Sequence, residues 1–79
     1  MKKVQFDGDC FEDYKEWSKN NKGIFDRIND LIKDISRDPF KGIGKPEPLK
    51  GNWSGYWSRR INDEHRLIYR IEQEIIIIA

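Results

Sequence analysis

Four consecutive isoleucines, Ile75 to Ile78, set the strictest limit on how this chain can fold. The run is β-branched, shows no polar alternation and is far too short to cross a bilayer, which takes about 20 residues of helix. It reads as a strand covered on both faces and therefore held in the interior of a sheet. A bare isoleucine tetrad beside Ala79 is also an aggregation hazard without a polar flank, so a few further C-terminal residues are expected to belong to the domain. The material to cover it is scarce. In 79 residues, hydrophobic and charged types each make up 37%. A domain of this size buries only about 60% of its unfolded surface. Three Trp, three Tyr and four Phe offset the shortage of aliphatics. One Cys leaves no internal disulfide and fits a reducing cytosol, and Met1-Lys2-Lys3 leads into no apolar targeting segment. These features exclude a large multidomain enzyme, a secreted disulfide scaffold and a membrane protein, and they predict a cytoplasmic location.

The rest of the chain supplies the partners of that strand. Lys3-Val-Gln-Phe6 alternates as a short strand, and Asp7-Gly8-Asp9 breaks it. Asp9 with Glu12 three residues on has the form of a capping box. Cys10, Phe11, Tyr14 and Trp17 recur at helical spacing up to Asn20-Asn21-Lys22-Gly23, a stop signal. Ile24, Ile28, Leu31 and Ile35, widened by Phe25 and Ile32, form the apolar stripe of a second helix, which ends at Asp38-Pro39. The short connection predicts a helical hairpin. Residues 53–61 and 65–71 read as strands around a turn at Asn62-Asp63-Glu64. His65, Leu67, Tyr69 and Ile71 share one face of the second, and Arg66, Ile68 and Arg70 the other. The expected fold is a single α+β domain over residues 1–79, in the order β-α-α-β-β-β, with a helical hairpin packed on one face of a mainly antiparallel sheet.

Charge is distributed unevenly. Residues 40–70 hold seven Lys/Arg against three Asp/Glu, a local +4 inside a chain of net +1. The loop from Phe40 to Asn52 contains Gly42, Gly44, Gly51, Pro46 and Pro48, and is long enough in so small a domain to read as functional. One His and one Cys make no zinc site, no carboxylate cluster suggests another metal, and Gly42-Ile43-Gly44 is no phosphate loop. No cofactor is expected. Glu47 stands alone among cations in Lys45-Pro46-Glu47-Pro48-Leu49-Lys50, with Arg59, Arg60 and Arg66 on the following strands. A stiffly held carboxylate can serve as a general base, and guanidinium groups can clamp a phosphodiester. Residue types alone leave open a second role, in which Glu47 merely offsets the lysines around it. Trp53, Tyr56 and Trp57 suit base stacking, although the shortage of aliphatics argues that at least two of them are core. His65, beside Leu67 and Tyr69, reads as structural, as does Cys10.

Four segments then fall into a known pattern. Asp38-Pro39-Phe40, Gly42-x-Gly44-Lys45-Pro46-Glu47-Pro48-Leu49-Lys50, Ser54-Gly55-Tyr56-Trp57-Ser58-Arg59-Arg60-Ile61 and Glu64-His65-Arg66-Leu67-Ile68-Tyr69 closely resemble the YoeB/Txe-type toxins of the RelE superfamily. The resemblance implies a metal-independent, ribosome-dependent mRNA endoribonuclease that acts in the ribosomal A site and inhibits translation. It implies a YefM-like antitoxin as partner and is compatible with a homodimer. It gives Glu47 the role of general base and Arg66 that of phosphate stabiliser, with Lys45, Lys50, Arg59 and Arg60 as RNA or ribosome contacts. The family pattern continues beyond the last strand into a tail whose histidine acts as general acid, a segment that this sequence does not include. The alternative is a binding module that engages antitoxin or another protein without cleaving RNA, as ParE-like members of the superfamily do with gyrase.

Overall fold

The computed structural model describes residues 3–79. Its elements are β1 (Lys3–Phe6), α1 (Cys10–Asn20), α2 (Lys22–Arg37), β2 (Glu47–Pro48), β3 (Trp57–Arg60), β4 (Arg66–Glu72) and β5 (Ile75–Ile78), with a 3-10 turn at Gly51–Trp53. The five strands form one mixed sheet in the order β1-β5-β4-β3-β2. β5 lies parallel to β1 and antiparallel to β4, and the remaining pairs are antiparallel. The isoleucine run is thus paired along both edges, as its composition requires.

Sheet and helices meet in one core. Ile28, Leu31, Ile32 and Ile35 of α2 pack with Leu67 and Tyr69 of β4 and Ile76 and Ile78 of β5. Tyr14 and Trp17 of α1, with Phe6, Ile24, Trp57 and Ile61, close its rim. Each fully buried Ile or Leu contributes about 1.5–3 kcal/mol, which makes this stripe the main source of stability. Ile77 points to the opposite face and is still only 4% exposed. No helix among the described residues is long and apolar enough to cross a membrane.

Local details depart from the sequence reading in four places. Asp9 precedes α1, but its side chain makes no capping hydrogen bond. Asn21, read as part of a stop, instead caps α2 by accepting a hydrogen bond from the Ile24 amide at 3.1 Å. A single residue therefore both ends one helix and starts the next. The strand expected from Trp53 begins only at Trp57, because Gly51, at φ 66, and the next two residues curl into the 3-10 turn. The long loop also contains a strand of its own, since Glu47 and Pro48 pair with Ser58 and Trp57.

Candidate functional site

The ladder of β2, β3 and β4 decides which side chains meet. Glu47 stands opposite Ser58, Ser58 opposite Ile68, and Arg60 opposite Arg66. Residues directly opposite in an antiparallel ladder share a face, so Glu47, Ser58, Arg60 and Arg66 all lie on the face away from the helices. β2 is the edge strand, the one place in a sheet where flanking prolines without N–H groups are tolerated. Pro46 and Pro48 thus hold Glu47 on a rigid edge.

Glu47 and Arg66 are brought together there. Arg66 Nη2 lies 4.0 Å from Glu47 Oε2, and the two side chains are 39% and 65% exposed. Arg66 is braced from behind: its Nε donates to Ser58 Oγ at 3.0 Å and its Nη2 to the Lys45 carbonyl at 3.4 Å. An exposed ion pair of this length contributes only about 0–1 kcal/mol. A phosphodiester can therefore displace the carboxylate from the guanidinium at little cost, which leaves a free base beside a cation. Lys45 and Lys50 are exposed on either side of Glu47 along the chain. Arg60 is partly exposed on the same face, with its guanidinium bound to Asp63 and to the Asn62 carbonyl in the turn.

Arg59 corrects the sequence reading. It was expected to contact RNA or the ribosome, but it is 0% exposed and sits opposite Leu67 on the core face. Its five N–H groups are all used. Nη1 donates to Asp34 Oδ2 at 2.5 Å and to the Ile43 carbonyl at 3.2 Å. Nη2 donates to the carbonyls of Asp38 at 2.6 Å and Lys41 at 3.1 Å, and Nε to Tyr69 Oη at 3.2 Å. The Tyr69 hydroxyl in turn donates to the Pro39 carbonyl at 2.6 Å. A guanidinium with every donor inside the protein holds the loop rather than a polyanion. The register of β3 against β4, which puts Arg59 across from Leu67, sets its side chain on the core face with Trp57.

Asp34, which sequence reasoning passed over, completes this clamp from α2. Burial alone would raise its carboxyl, but the bonds from Arg59 and the Ile43 amide, with the charges of Arg59 and Arg37, outweigh it and hold the group below the ordinary carboxylate value. Burial pushes the Tyr69 hydroxyl up, which keeps it a donor. Gly42, at φ +135, lies so close that a Cβ there would overlap the Asp34 carboxylate. Gly44, at φ +80, passes Leu31 closely, and its carbonyl accepts from the Arg60 amide at 2.6 Å. The loop from Asp38 to Lys45 is thereby tied to the core and delivers Glu47 to the sheet edge.

The other candidates lie elsewhere. His65 packs edge-on against Trp17 at 5.2 Å, in a cleft of about 140 Å³ between α1 and the sheet, and is structural as expected. The Cys10 thiol is raised by burial and by Asp13, Asp7 and Asp9, so it is not an activated nucleophile. Of the three aromatics near the loop, only Trp57 joins the core, where it packs on Phe40 at 4.9 Å. Tyr56 lies half-buried on the opposite face and Trp53 is 46% exposed, against the expectation that two of them would be core. Among the described residues no group of three or more His, Cys, Asp or Glu is placed to hold a metal ion.

The chain as a whole is similar to known proteins. The YoeB-like toxins of bacterial type II toxin–antitoxin systems match the chain as a family over residues 6–79. The chain belongs to that family. It is 56% identical over 78 residues to the toxin YoeB of Synechocystis, covering 98% of this chain and 91% of that protein. It superimposes with a TM-score of 0.94 on a chain of the heterotetrameric YoeB–YefM complex from Staphylococcus aureus, at 48% identity over 100% of this chain and 92% of that one. The YoeB dimer from the same organism gives a TM-score of 0.91 at 49% identity, covering 98% of this chain and 90% of that one.

Proposed function

We propose that this YoeB-family toxin is an mRNA endoribonuclease that works on the ribosome, in the A site, and blocks translation. One observation carries the reading: an exposed carboxylate, Glu47, and an exposed guanidinium, Arg66, stand 4.0 Å apart on a rigid sheet edge flanked by Lys45 and Lys50. Glu47 takes the proton of a ribose 2′-hydroxyl, whose oxygen attacks the adjacent phosphorus. The P–O5′ bond then opens to give a 2′,3′-cyclic phosphate and a 5′-oxyanion, which takes a proton from water to become the 5′-hydroxyl end. Arg66, held by Ser58, neutralises the charge that builds on the phosphoryl oxygens, the point at which electrostatic stabilisation contributes most. Arg60, Lys45 and Lys50 supply the phosphate attraction that any RNA surface needs. By analogy with the Staphylococcus aureus proteins, we propose a YefM-like antitoxin as partner and a homodimer as the free form.

The test is mRNA cleavage on programmed ribosomes by the unsubstituted chain and by the Glu47→Gln and Arg66→Ala variants. Loss of a general base lowers the rate by about 10²–10⁴-fold. Undiminished cleavage by either variant removes that residue from the mechanism. Growth inhibition without any mRNA cleavage would favour a protein-binding module instead.

A further inference from the structure

The side of the sheet that carries Glu47 and Arg66 continues past them. Tyr56 precedes Ser58 by two residues, and Arg70 follows Ile68 by two, so both share the Glu47 face one step along the ladder. That step is about 6.7 Å of strand. The Leu49 amide donates to the Tyr56 carbonyl at 2.9 Å, which extends the β2–β3 pairing to this point. Arg70 lies over the Tyr56 ring at 5.6 Å, its Nε donates to the Tyr56 hydroxyl at 3.3 Å, and Glu72 and Asp7 hold the rest of its guanidinium. Trp53 stands edge-on to Tyr56 at 5.0 Å, 46% exposed and outside the core. Its exposed neighbours along the chain, Lys50, Asn52 and Ser54, are polar.

We propose that Trp53, backed by Tyr56 and Arg70, is a stacking subsite for one unpaired nucleobase of the RNA strand. The inference rests on the reading that this sheet face receives RNA. An indole in a polar, cation-bearing rim suits a base, which offers a π-face whatever its identity, while the strand's phosphates pass Lys50 and Arg66. An apolar protein partner would instead meet a surface interrupted by Lys50 and Arg70.

The test uses the full chain and a single-stranded oligoribonucleotide made uncleavable by 2′-O-methylation, scanned with one abasic position at a time. Trp53→Ala should weaken binding of the intact strand by about 5- to 140-fold, and Trp53→Phe should retain most of it. At one position, loss of the base should cost the unsubstituted chain the same factor and cost Trp53→Ala nothing. Equal losses by Trp53→Ala on intact and abasic strands would overturn the subsite, as would no loss or no measurable binding by the unsubstituted chain. A Trp53→Ala effect confined to self-association in sedimentation would do so too, by assigning the patch to protein contact. The function stands or falls separately. Coupling between Trp53 and a base without cleavage on programmed ribosomes would sink the nuclease reading alone. Cleavage that depends on Glu47 without such coupling would sink only the subsite.

Discussion

Removing the Asp34 carboxylate should damage this protein more than any surface change. Arg59 is 0% exposed, and Asp34 is its one anionic partner among the described residues, with a side chain 15% exposed. Asp34→Ala leaves a guanidinium charge in the interior with only carbonyls and a hydroxyl around it. Breaking a buried pair from one side costs about 3–5 kcal/mol. The residual exposure of Asp34 places the expected loss at the lower end, about 3 kcal/mol. For a chain of 79 residues, total stability is on the order of 4–12 kcal/mol. The variant should therefore lose about a quarter or more of it and melt about 12–24 °C lower. Asp34→Asn keeps an acceptor for Arg59 but not the charge, so it should recover only part of the loss. The pH dependence carries the same signature. The folded carboxyl lies below its ordinary value, so its contribution is complete above about pH 4 and is lost as pH falls through the folded pKa. The stability gap between the unsubstituted chain and Asp34→Asn should narrow towards low pH. Urea unfolding followed by Trp fluorescence between about pH 3 and 7 measures both quantities. A loss below about 1 kcal/mol for Asp34→Ala, or a gap that widens on acidification, would refute the clamp as the organiser of the loop.

Other expectations concern the same framework. Gly42→Ala should lower stability by about 1–3 kcal/mol, read from the urea midpoint, because its positive φ and the Asp34 carboxylate leave no room for a Cβ. Leu31→Ala, at a fully buried position that also touches the approach of Gly44, should cost about 2–5 kcal/mol in the same assay. Ser58→Ala removes the acceptor of Arg66 Nε. With one charge-assisted hydrogen bond gone, about 1.5 kcal/mol, cleavage on programmed ribosomes should fall roughly tenfold. An unchanged rate would show that Ser58 does not position Arg66.

Much of the scaffold is legible in the residue order because burial imposes periodicity. Ile24, Ile28, Leu31 and Ile35 can face one core only as a helix, and Ile75 to Ile78 can be satisfied only inside a sheet. The prolines around Glu47 signal only a stiff loop, because a strand of two residues is too short to carry a pattern of its own. What could not be read locally were the pairings that join distant segments. Arg59 and Arg60 are chemically identical neighbours, and a shift of one residue between β3 and β4 would exchange their faces. The observed register places Arg60 across from Arg66 in solvent and Arg59 across from Leu67 in the core. Asp34 gave no sign of its role within α2, because its partner lies 25 residues away.

The sequence by itself therefore determined the order of the longer elements, the helical hairpin, the interior strand and the basic loop that carries Glu47. It did so through hydrophobic period, turn chemistry and the geometry of proline. Tertiary structure alone decided which arginine stayed exposed on the Glu47 face and which became scaffold. Burial turns a guanidinium into a clamp when every N–H finds a partner inside the protein. Exposure leaves one free for a phosphate, and only the register of the sheet chooses between the two.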